Sequence, residues 1–248
     1  MTFLKKYCKH ILCGLGLSVG LCSVVYAQIP LNFDAVSRPA NFSSSINLLL
    51  SLSMITMIPF FLISTTSFLR TVIVLSMIRQ ALGTQQAPPN MVIVSLSLFL
   101  TVFVMTPTFT EVNYTAIQPY KEGKISQKEA MNIGFKPFKH FMLKFAREKD
   151  IALFMEFSQT KRTQNIEDVP IFVLIPAFII SELKTAFQIG FLLFIPFVVI
   201  DLVVSNILLS LGMFMLSPAM ISLPFKILLF VLTDGWNLII QGLLLSFR

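Results

Sequence analysis

The most informative part of this sequence is IFVLIPAFIISELKTAFQIGFLLFIPFVVIDLVVSNILLSLGMFMLSPAMISLPFKILLFVLTDGWNLIIQGLLLSFR, residues 171–248. Six side chains in it are charged, and the long intervals between them are apolar. Runs of this length and composition are typical of helices in or beside a lipid bilayer. Because proline disfavours a continuous helix, we expect repeated breaks at the five prolines in and before the run, which are Pro170, Pro176, Pro196, Pro218 and Pro224.

Further apolar runs precede this stretch. INLLLSLSMITMIPFFLI covers 46–63, SFLRTVIVLSMIRQALG follows at 67–83, and another run covers 91–105. Over the whole chain 55% of residues are hydrophobic, 12% are charged, and the mean hydropathy is +0.81. Soluble domains carry about 25% charged residues. We therefore predict an all-α integral membrane protein with about four hydrophobic helical segments.

One segment, 111–168, has a different composition, with 18 charged residues. Ser126 and Glu129 have the spacing of a capping box, so a helix is expected to begin there. An apolar stripe at helical spacing follows, made of Phe138, Phe141, Met142 and Phe145. The pattern predicts a small soluble α-helical domain. The full division is then 1–27, 28–110, 111–168 and 169–248.

Residues 1–27 have the pattern of a cleaved secretory signal. Lys5, Lys6 and Lys9 precede an apolar run that ends in VVYA, which predicts cleavage before Gln28; a retained first anchor is the alternative. The three cysteines fall inside this segment, and the net charge drops from +7 to +4, with 16 basic against 12 acidic residues. This balance is too weak for a nucleic-acid surface. The signal indicates the bacterial inner membrane, with the mature N-terminus and segment 111–168 in the periplasm.

The sequence offers little for catalysis. After residue 27 there is one histidine, His140, and there is no cysteine. Motifs of serine hydrolases, zinc proteases and nucleotide-binding loops are missing. We predict no enzymatic activity, no catalytic residue, no metal site and no cofactor.

Charges within the apolar runs are the first candidates for function. Placing Asp201, Lys226 or Asp234 in a bilayer costs about 2.5–3.5 kcal/mol each, so each needs a partner or water. On one continuous helix, Lys226 and Asp234 would lie on similar faces. A proton or ion relay is one interpretation. Structural ion pairs or subunit contacts are favoured, because no third acid or histidine continues a relay.

The sequence GMFMLSP, residues 212–218, is the second candidate. A glycine before and a proline after Met213, Phe214 and Met215 indicate a break between helices. Methionine is flexible and polarizable, and apolar constrictions gate pores by dewetting. These three side chains therefore either seal a pore or fill a core.

Four strings together resemble one known family. They are PAFIISELKTAFQIGF (176–191), IPFVVIDLV (195–203), ALGT with APPN (81–84 and 87–90), and ISLPFKILLFVLTDGW (221–236). Together these strings resemble the FliP family, the flagellar branch of the type III secretion export-gate proteins. The likeness covers nearly all of the chain after the signal.

The resemblance implies a function. Members of this family assemble with FliQ and FliR and with further copies of themselves, in a roughly five-fold ring, and unfolded flagellar subunits pass through it across the inner membrane. The family's methionine-rich loop is a gasket and maps onto Met213, Phe214 and Met215. Phe214 departs from the usual methionine. The family's hydrophobic hairpins are held within a protein assembly rather than each spanning lipid.

Glu182 and Lys184 fall in the most recognisable family string. They are two residues apart and cannot pair on one helix, so we expect them to pair across subunits. Two other functions stay open: a proton-coupled secondary transporter using Asp201, Lys226 and Asp234, and a passive membrane scaffold. The expected partners are FliQ and FliR homologues, other copies of the chain, exported flagellar proteins and membrane lipid, but no nucleic acid.

Overall fold

The computed structural model describes residues 39–84, 86–158 and 169–248. The predicted signal peptide lies outside these ranges. The chain divides into two compact units, Met1–Thr56 and Met57–Arg248. In the first unit the described residues belong to one helix. The second unit contains the remaining described elements.

The described residues form helices and no strand. In chain order these are α1 (Pro39–Thr65), α2 (Phe68–Leu82), α3 (Asn90–Val112), a π-helical turn (Asn113–Ile117), α4 (Gln118–Lys121), α5 (Gln127–Phe145), α6 (Glu148–Phe157), α7 (Ile171–Ser210), α8 (Pro218–Leu232) and α9 (Gly235–Leu245). The all-α prediction is confirmed.

Two stretches are long and apolar enough to cross a membrane. They are the helical run Asn90–Lys121 and α7, and up to four spans result if α1 with α2 and α8 with α9 each count as one bent span. This agrees with the predicted four hydrophobic segments. With 40 residues, α7 is about 60 Å long, about twice the thickness of a bilayer's hydrocarbon core. Part of α7 must therefore contact protein or water.

The first core forms where α2 lies against α7. Val74, Leu75 and Ile78 of α2 are buried there with Ala186 of α7. A methyl group added at Gly190 would overlap the side chain of Met77. The two helices thus approach so closely that a side chain at this α7 position would require Met77 to move.

The second core joins the charged segment to α7. Phe141 and Met142 of α5 are buried against Leu174 and Phe178 of α7, which confirms the predicted apolar stripe. The predicted capping box is present as well: the hydroxyl of Ser126 accepts from the Glu129 N–H, while the Glu129 carboxylate accepts from the Ser126 N–H. The helices of 111–158 pack within the same compact unit as the apolar helices. The predicted domain boundaries stay a prediction.

The prediction that prolines break the apolar run is only partly correct. Pro170 precedes α7 and Pro218 begins α8, but Pro176 and Pro196 lie inside α7, and Pro224 lies inside α8. An internal proline removes one backbone hydrogen bond. A full break in apolar surroundings would leave several polar groups unsatisfied, so the helix continues.

Candidate functional site

The loop between α7 and α8 exposes apolar side chains. Met213 is 45% exposed, Phe214 75% and Met215 99%. The predicted break between helices is confirmed, since α7 ends at Ser210 and α8 begins at Pro218. These three side chains do not fill the core of this chain. We call residues 211–217 the apolar loop.

The backbone fixes where the apolar loop leaves α7. Gly212 has a φ of +75°, a conformation that favours glycine. The Gly212 N–H donates to the Leu209 carbonyl at 3.1 Å, and the Met213 N–H donates to the Leu208 carbonyl at 2.9 Å. This is the Schellman arrangement, which satisfies the last carbonyls of a helix. The exit direction of the loop is therefore set by hydrogen bonds.

An ion pair joins the two helices of the hairpin below the loop. The Lys226 Nζ lies 2.7 Å from the Asp201 Oδ2, and the Ser222 hydroxyl donates to the Asp201 Oδ1 at 2.6 Å. Lys226 also donates to the Ala81 carbonyl at 3.3 Å, close to the end of α2. We call Asp201, Ser222 and Lys226 the hairpin clamp. It ties α7, α8 and α2 together and satisfies the buried ammonium.

Between the clamp and the loop, the surfaces of α7 and α8 that face each other are apolar. A groove of about 410 Å³ lies there between α7 and α8, and its lining includes Val203, Ile207, Ile221 and Phe225. Asp201 and Leu211 are ten residues apart, or about 15 Å along a helix. The apolar loop is thus carried at the end of an apolar arm whose polar anchor lies well behind it.

A second ion pair ties α2 to the first half of α7. The buried guanidinium of Arg70 donates to both carboxylate oxygens of Glu182, with Nε at 2.8 Å from Oε2. Arg70 also donates to the Ser246 carbonyl at 2.9 Å, and its Cζ lies 4.0 Å from the centre of the Phe247 ring. Each of the three nitrogen atoms of this guanidinium therefore donates at least one hydrogen bond within the chain.

This pairing corrects one prediction. We expected Glu182 to pair across subunits, and that is wrong, because it is fully buried with Arg70 inside one chain. The sequence pattern carried no signal for this pairing, since the partners are 112 positions apart. Lys184 is exposed, so for that residue a subunit contact stays a prediction.

Asp234 also differs from expectation. It is exposed, has a φ of +50° and precedes α9, with the Asn237 amide 3.2 Å from its carboxylate. It does not share a continuous helix with Lys226, because α8 and α9 are inclined at 64° around the break that contains it. Asp234 is therefore not buried within this chain, and a subunit contact through it stays a prediction.

Sequence reasoning missed the polar contacts that attach the charged segment to α7. The Ser181 hydroxyl donates to the buried Asp150 carboxylate at 2.7 Å and accepts from the Arg147 N–H at 2.9 Å. The Arg147 guanidinium reaches Gln188 at 2.7 Å. The available signal was a serine and a glutamate side by side in the otherwise apolar stretch 177–183. Both face neighbouring helices rather than lipid.

Across the described residues, no group of three or more His, Cys, Asp or Glu side chains is arranged to hold a metal ion. The buried charged groups of the apolar helices form two ion pairs, Arg70 with Glu182 and Lys226 with Asp201, and most of the exposed surface of the hairpin is hydrocarbon. This arrangement suits packing and sealing between surfaces.

Comparison with known proteins gives a consistent result. The model of the FliP family matches residues 51–243. The chain is 52% identical over 217 residues to the flagellar biosynthetic protein FliP of Bacillus subtilis (strain 168), covering 88% of this chain and 98% of the relative. It is 47% identical over 240 residues to the protein of the same name from Pectobacterium carotovorum subsp. carotovorum, covering 94% and 92%. This chain belongs to the FliP family.

Proposed function

We propose that this chain is a component of the flagellar type III protein export gate, in which the apolar loop closes the pore. Several copies, with FliQ and FliR homologues, form a pore for unfolded flagellar subunits in the inner membrane. The observation that carries the proposal is the exposure of Met213, Phe214 and Met215 at the tip of an apolar hairpin. The relatives are flagellar biosynthetic proteins, which supports the same pathway.

The mechanism follows from the chemistry of these side chains. Loops from several copies converge on one axis and exclude water, because an apolar constriction dewets and blocks ions. Methionine adopts many shapes at low cost, so the constriction yields when a chain enters and closes after it. Phe214 is stiffer and adds bulk. The gate itself is passive, and other components of the apparatus supply the energy.

The hairpin clamp supports a structural rather than a proton-carrying role for the buried charges. Asp201 has one oxygen against Ser222 and the other against Lys226, and Asp234 lies outside the clamp. A transporter that used Asp201, Lys226 and Asp234 as a relay needs these groups in one chain of proton transfers. The clamp instead holds the base of the hairpin while the apolar loop deforms.

The location completes the proposal. In this proposal the chain lies in the inner membrane or in an assembly embedded there, with the mature N-terminus and segment 111–168 in the periplasm, and its long apolar helices support a membrane location. Partners are FliQ and FliR homologues, further copies of the chain in a roughly five-fold ring, and exported flagellar proteins. Neither enzymatic activity nor nucleic-acid binding forms part of this function.

A leak assay tests the role of the apolar loop. Replacing Met213, Phe214 and Met215 together with glycine removes the hydrocarbon seal, so assembled complexes should admit small solutes. The matched control replaces the same three residues with leucine, which keeps the loop apolar and should keep the membrane tight. Normal assembly of the glycine variant without any leak contradicts the gate and favours a passive scaffold.

The native mass of the detergent-extracted complex tests the assembly. Co-expression with FliQ and FliR homologues should give one large species with several copies of this chain and both partners. A small species that ignores those partners contradicts the export-gate proposal and favours the transporter.

A further inference from the structure

One side of α7 forms a continuous ridge of exposed apolar side chains. Its members follow each other at spacings of three, four or seven residues, which keeps them on one face of the helix. They are 39–66% exposed and comprise Ile180, Phe187, Phe191, Ile195, Val198, Leu202 and Leu209. Lys184, between the first two members, is exposed on the same side. We call the apolar members the α7 ridge.

The α7 ridge is too long for lipid to cover. Ile180 and Leu209 are 29 residues apart, or about 43 Å along a helix. To lie within a hydrocarbon core about 30 Å thick, this length must tilt by about 45°, whereas transmembrane helices tilt by about 0–40°. The exposed amide of Asn206, between Leu202 and Leu209, also favours a protein surface, because an amide in hydrocarbon without a hydrogen-bond partner is costly. Protein must therefore cover part of the ridge.

The α7 ridge is also large enough for a stable protein contact. Its seven side chains are about half exposed and offer on the order of 100 Å² each, or roughly 700 Å² together. The largest apolar patch on a soluble monomer is rarely above about 600 Å², and a specific interface buries about 800 Å² on each partner. The ridge therefore has the size of one side of a protein–protein interface.

A second apolar surface lies on another side of the same helix. It is the groove between α7 and α8, whose exposed α7 wall consists of Val199, Val203 and Ile207. We call it the hairpin groove. At about 100° of rotation per residue, this wall lies about 120° around α7 from the ridge residues at the same level. The hairpin thus presents an apolar ridge and an apolar groove in two different directions.

A ridge and a groove on different sides of one hairpin suit a head-to-tail contact. In a two-fold dimer each surface faces its own copy, so that a ridge would meet a ridge. In a ring, each copy offers one surface to the neighbour on one side and the other surface to the neighbour on the other side. A ring also keeps its copies at one height. The two surfaces meet this condition, because the α7 lining of the groove covers 199–208 and the upper part of the ridge covers 198–209.

We propose that the α7 ridge of one copy packs into the hairpin groove of the next copy, head to tail around the ring. This contact rests on the proposed function in one respect, that several copies share one axis, and it adds which surfaces meet. Both surfaces end within one turn of Leu211, where the apolar loop begins. The contact therefore sets neighbouring loops side by side and buries the exposed hydrocarbon of the hairpin, while Phe214 and Met215 stay free to close the pore.

Cysteine cross-linking in membranes tests the contact, because the chain has no cysteine after residue 27. Leu209→Cys marks the ridge and Ile207→Cys marks the groove. The two single variants carry different affinity tags, are co-expressed with FliQ and FliR homologues, and are treated with a short bifunctional maleimide. Nearly all cross-linked dimers should carry one tag of each kind, and either variant expressed alone should stay monomeric. In the matched control, Leu232→Cys replaces Leu209→Cys. Leu232 is equally apolar and exposed but ends α8 far from the loop, so the control should give no dimers.

The native mass of the same sample separates failure of this contact from failure of the gate. A large species with several copies but without mixed dimers overturns the ridge-in-groove contact alone, and lipid or another protein then covers the ridge. Dimers with two like tags, as abundant as mixed dimers, show that ridge meets ridge and overturn the head-to-tail arrangement. A small species that ignores FliQ and FliR homologues contradicts the export gate itself, and the ring contact fails with it.

Discussion

The two halves of α7 differ in how they are held. The first half, 171–197, is fixed by buried polar contacts, with Glu182 paired to Arg70 and Ser181 bonded to Asp150. The second half, 198–210, carries one ion pair near its start, and most of its other side chains up to the apolar loop are apolar and exposed. One helix thus combines an anchored part with a free arm. The buried polar contacts of the first half stabilise the fold, whereas the exposed apolar second half carries the loop of the proposed gate.

The largest effect should come from breaking the buried ion pair. Glu182→Leu leaves the Arg70 guanidinium buried without its partner, which typically costs about 3–5 kcal/mol. We expect loss of the folded chain, measured as the thermal transition and the yield from detergent extraction. The double change Arg70→Met with Glu182→Leu removes both charges and should recover much of the loss. If Glu182→Leu is as stable as the unmodified chain, the Arg70–Glu182 pair does not anchor the first half of α7.

A close approach between α2 and α7 supplies the next test. Gly190→Ala places a methyl group against Met77, and such overpacking costs about 1–3 kcal/mol. The second change Met77→Ala should restore part of the stability in a thermal melt. Gly242→Ala in α9 is the matched control, because a methyl group there meets no atom within 4 Å. It should be neutral or slightly stabilising. Similar losses at both glycines contradict the close approach.

Removing the hairpin clamp should have a smaller effect. Lys226→Met keeps the apolar stem and removes the ammonium. Asp201 keeps the Ser222 hydroxyl, and its side chain is 37% exposed, so water replaces part of the lost contact. We expect a loss of about 1–2 kcal/mol, measured by the thermal transition. The solvent-accessible surface area of the hairpin should rise, because α8 loses the hydrogen bond from Lys226 to the Ala81 carbonyl.

Two matched outcomes sharpen the comparison of the halves. Hydrogen exchange should increase in α8 of Lys226→Met, while the first half of α7 stays protected. If exchange instead rises throughout α7, the clamp holds the anchored half as well, and the division of the helix at 197 is wrong.

The sequence predicted elements that depend on neighbours in the chain. The capping box at Ser126, the stripe through Phe141 and Met142, and the break after Gly212 were all predicted, because each is encoded within a few residues. The partner of Glu182 was not predicted. A carboxylate in an apolar run requires a cation, but the sequence alone does not identify Arg70, 112 positions away, as that cation.

Continuity of α7 through Pro176 and Pro196 was also missed. An expectation from the sequence considers the backbone hydrogen bond that each proline removes. It does not consider the backbone N–H and C=O groups that a helix break would leave unsatisfied in apolar surroundings. The result depends on what surrounds the helix, which is a property of the packed structure. The same limit applies to Asp234, since its exposure depends on the bend between α8 and α9.

The smallest effect should come from pH at the start of α5, which packs on the anchored half. Hydrogen bonds from the Ser126 main-chain N–H, and then from its hydroxyl, lower the pKa of Glu129 below its usual 4.5. Because the folded pKa is the lower one, this contribution to stability is complete above pH 4.5 and is lost as the pH falls through the folded value. A thermal melt followed from about pH 7 to about pH 3 should show this loss.

The variant Glu129→Gln tests whether that loss belongs to the capping box. Glutamine keeps an acceptor for the Ser126 N–H but does not titrate, so the part of the pH dependence due to Glu129 should vanish while the helix still begins at the same residue. Glu122→Gln is the control, since Glu122 is exposed and, among the described residues, its carboxylate pairs only with the exposed Lys124. If both variants retain the full acid sensitivity, the stability of α5 does not depend on its cap, and the anchored half of α7 is held by Phe141, Met142 and the buried polar contacts alone.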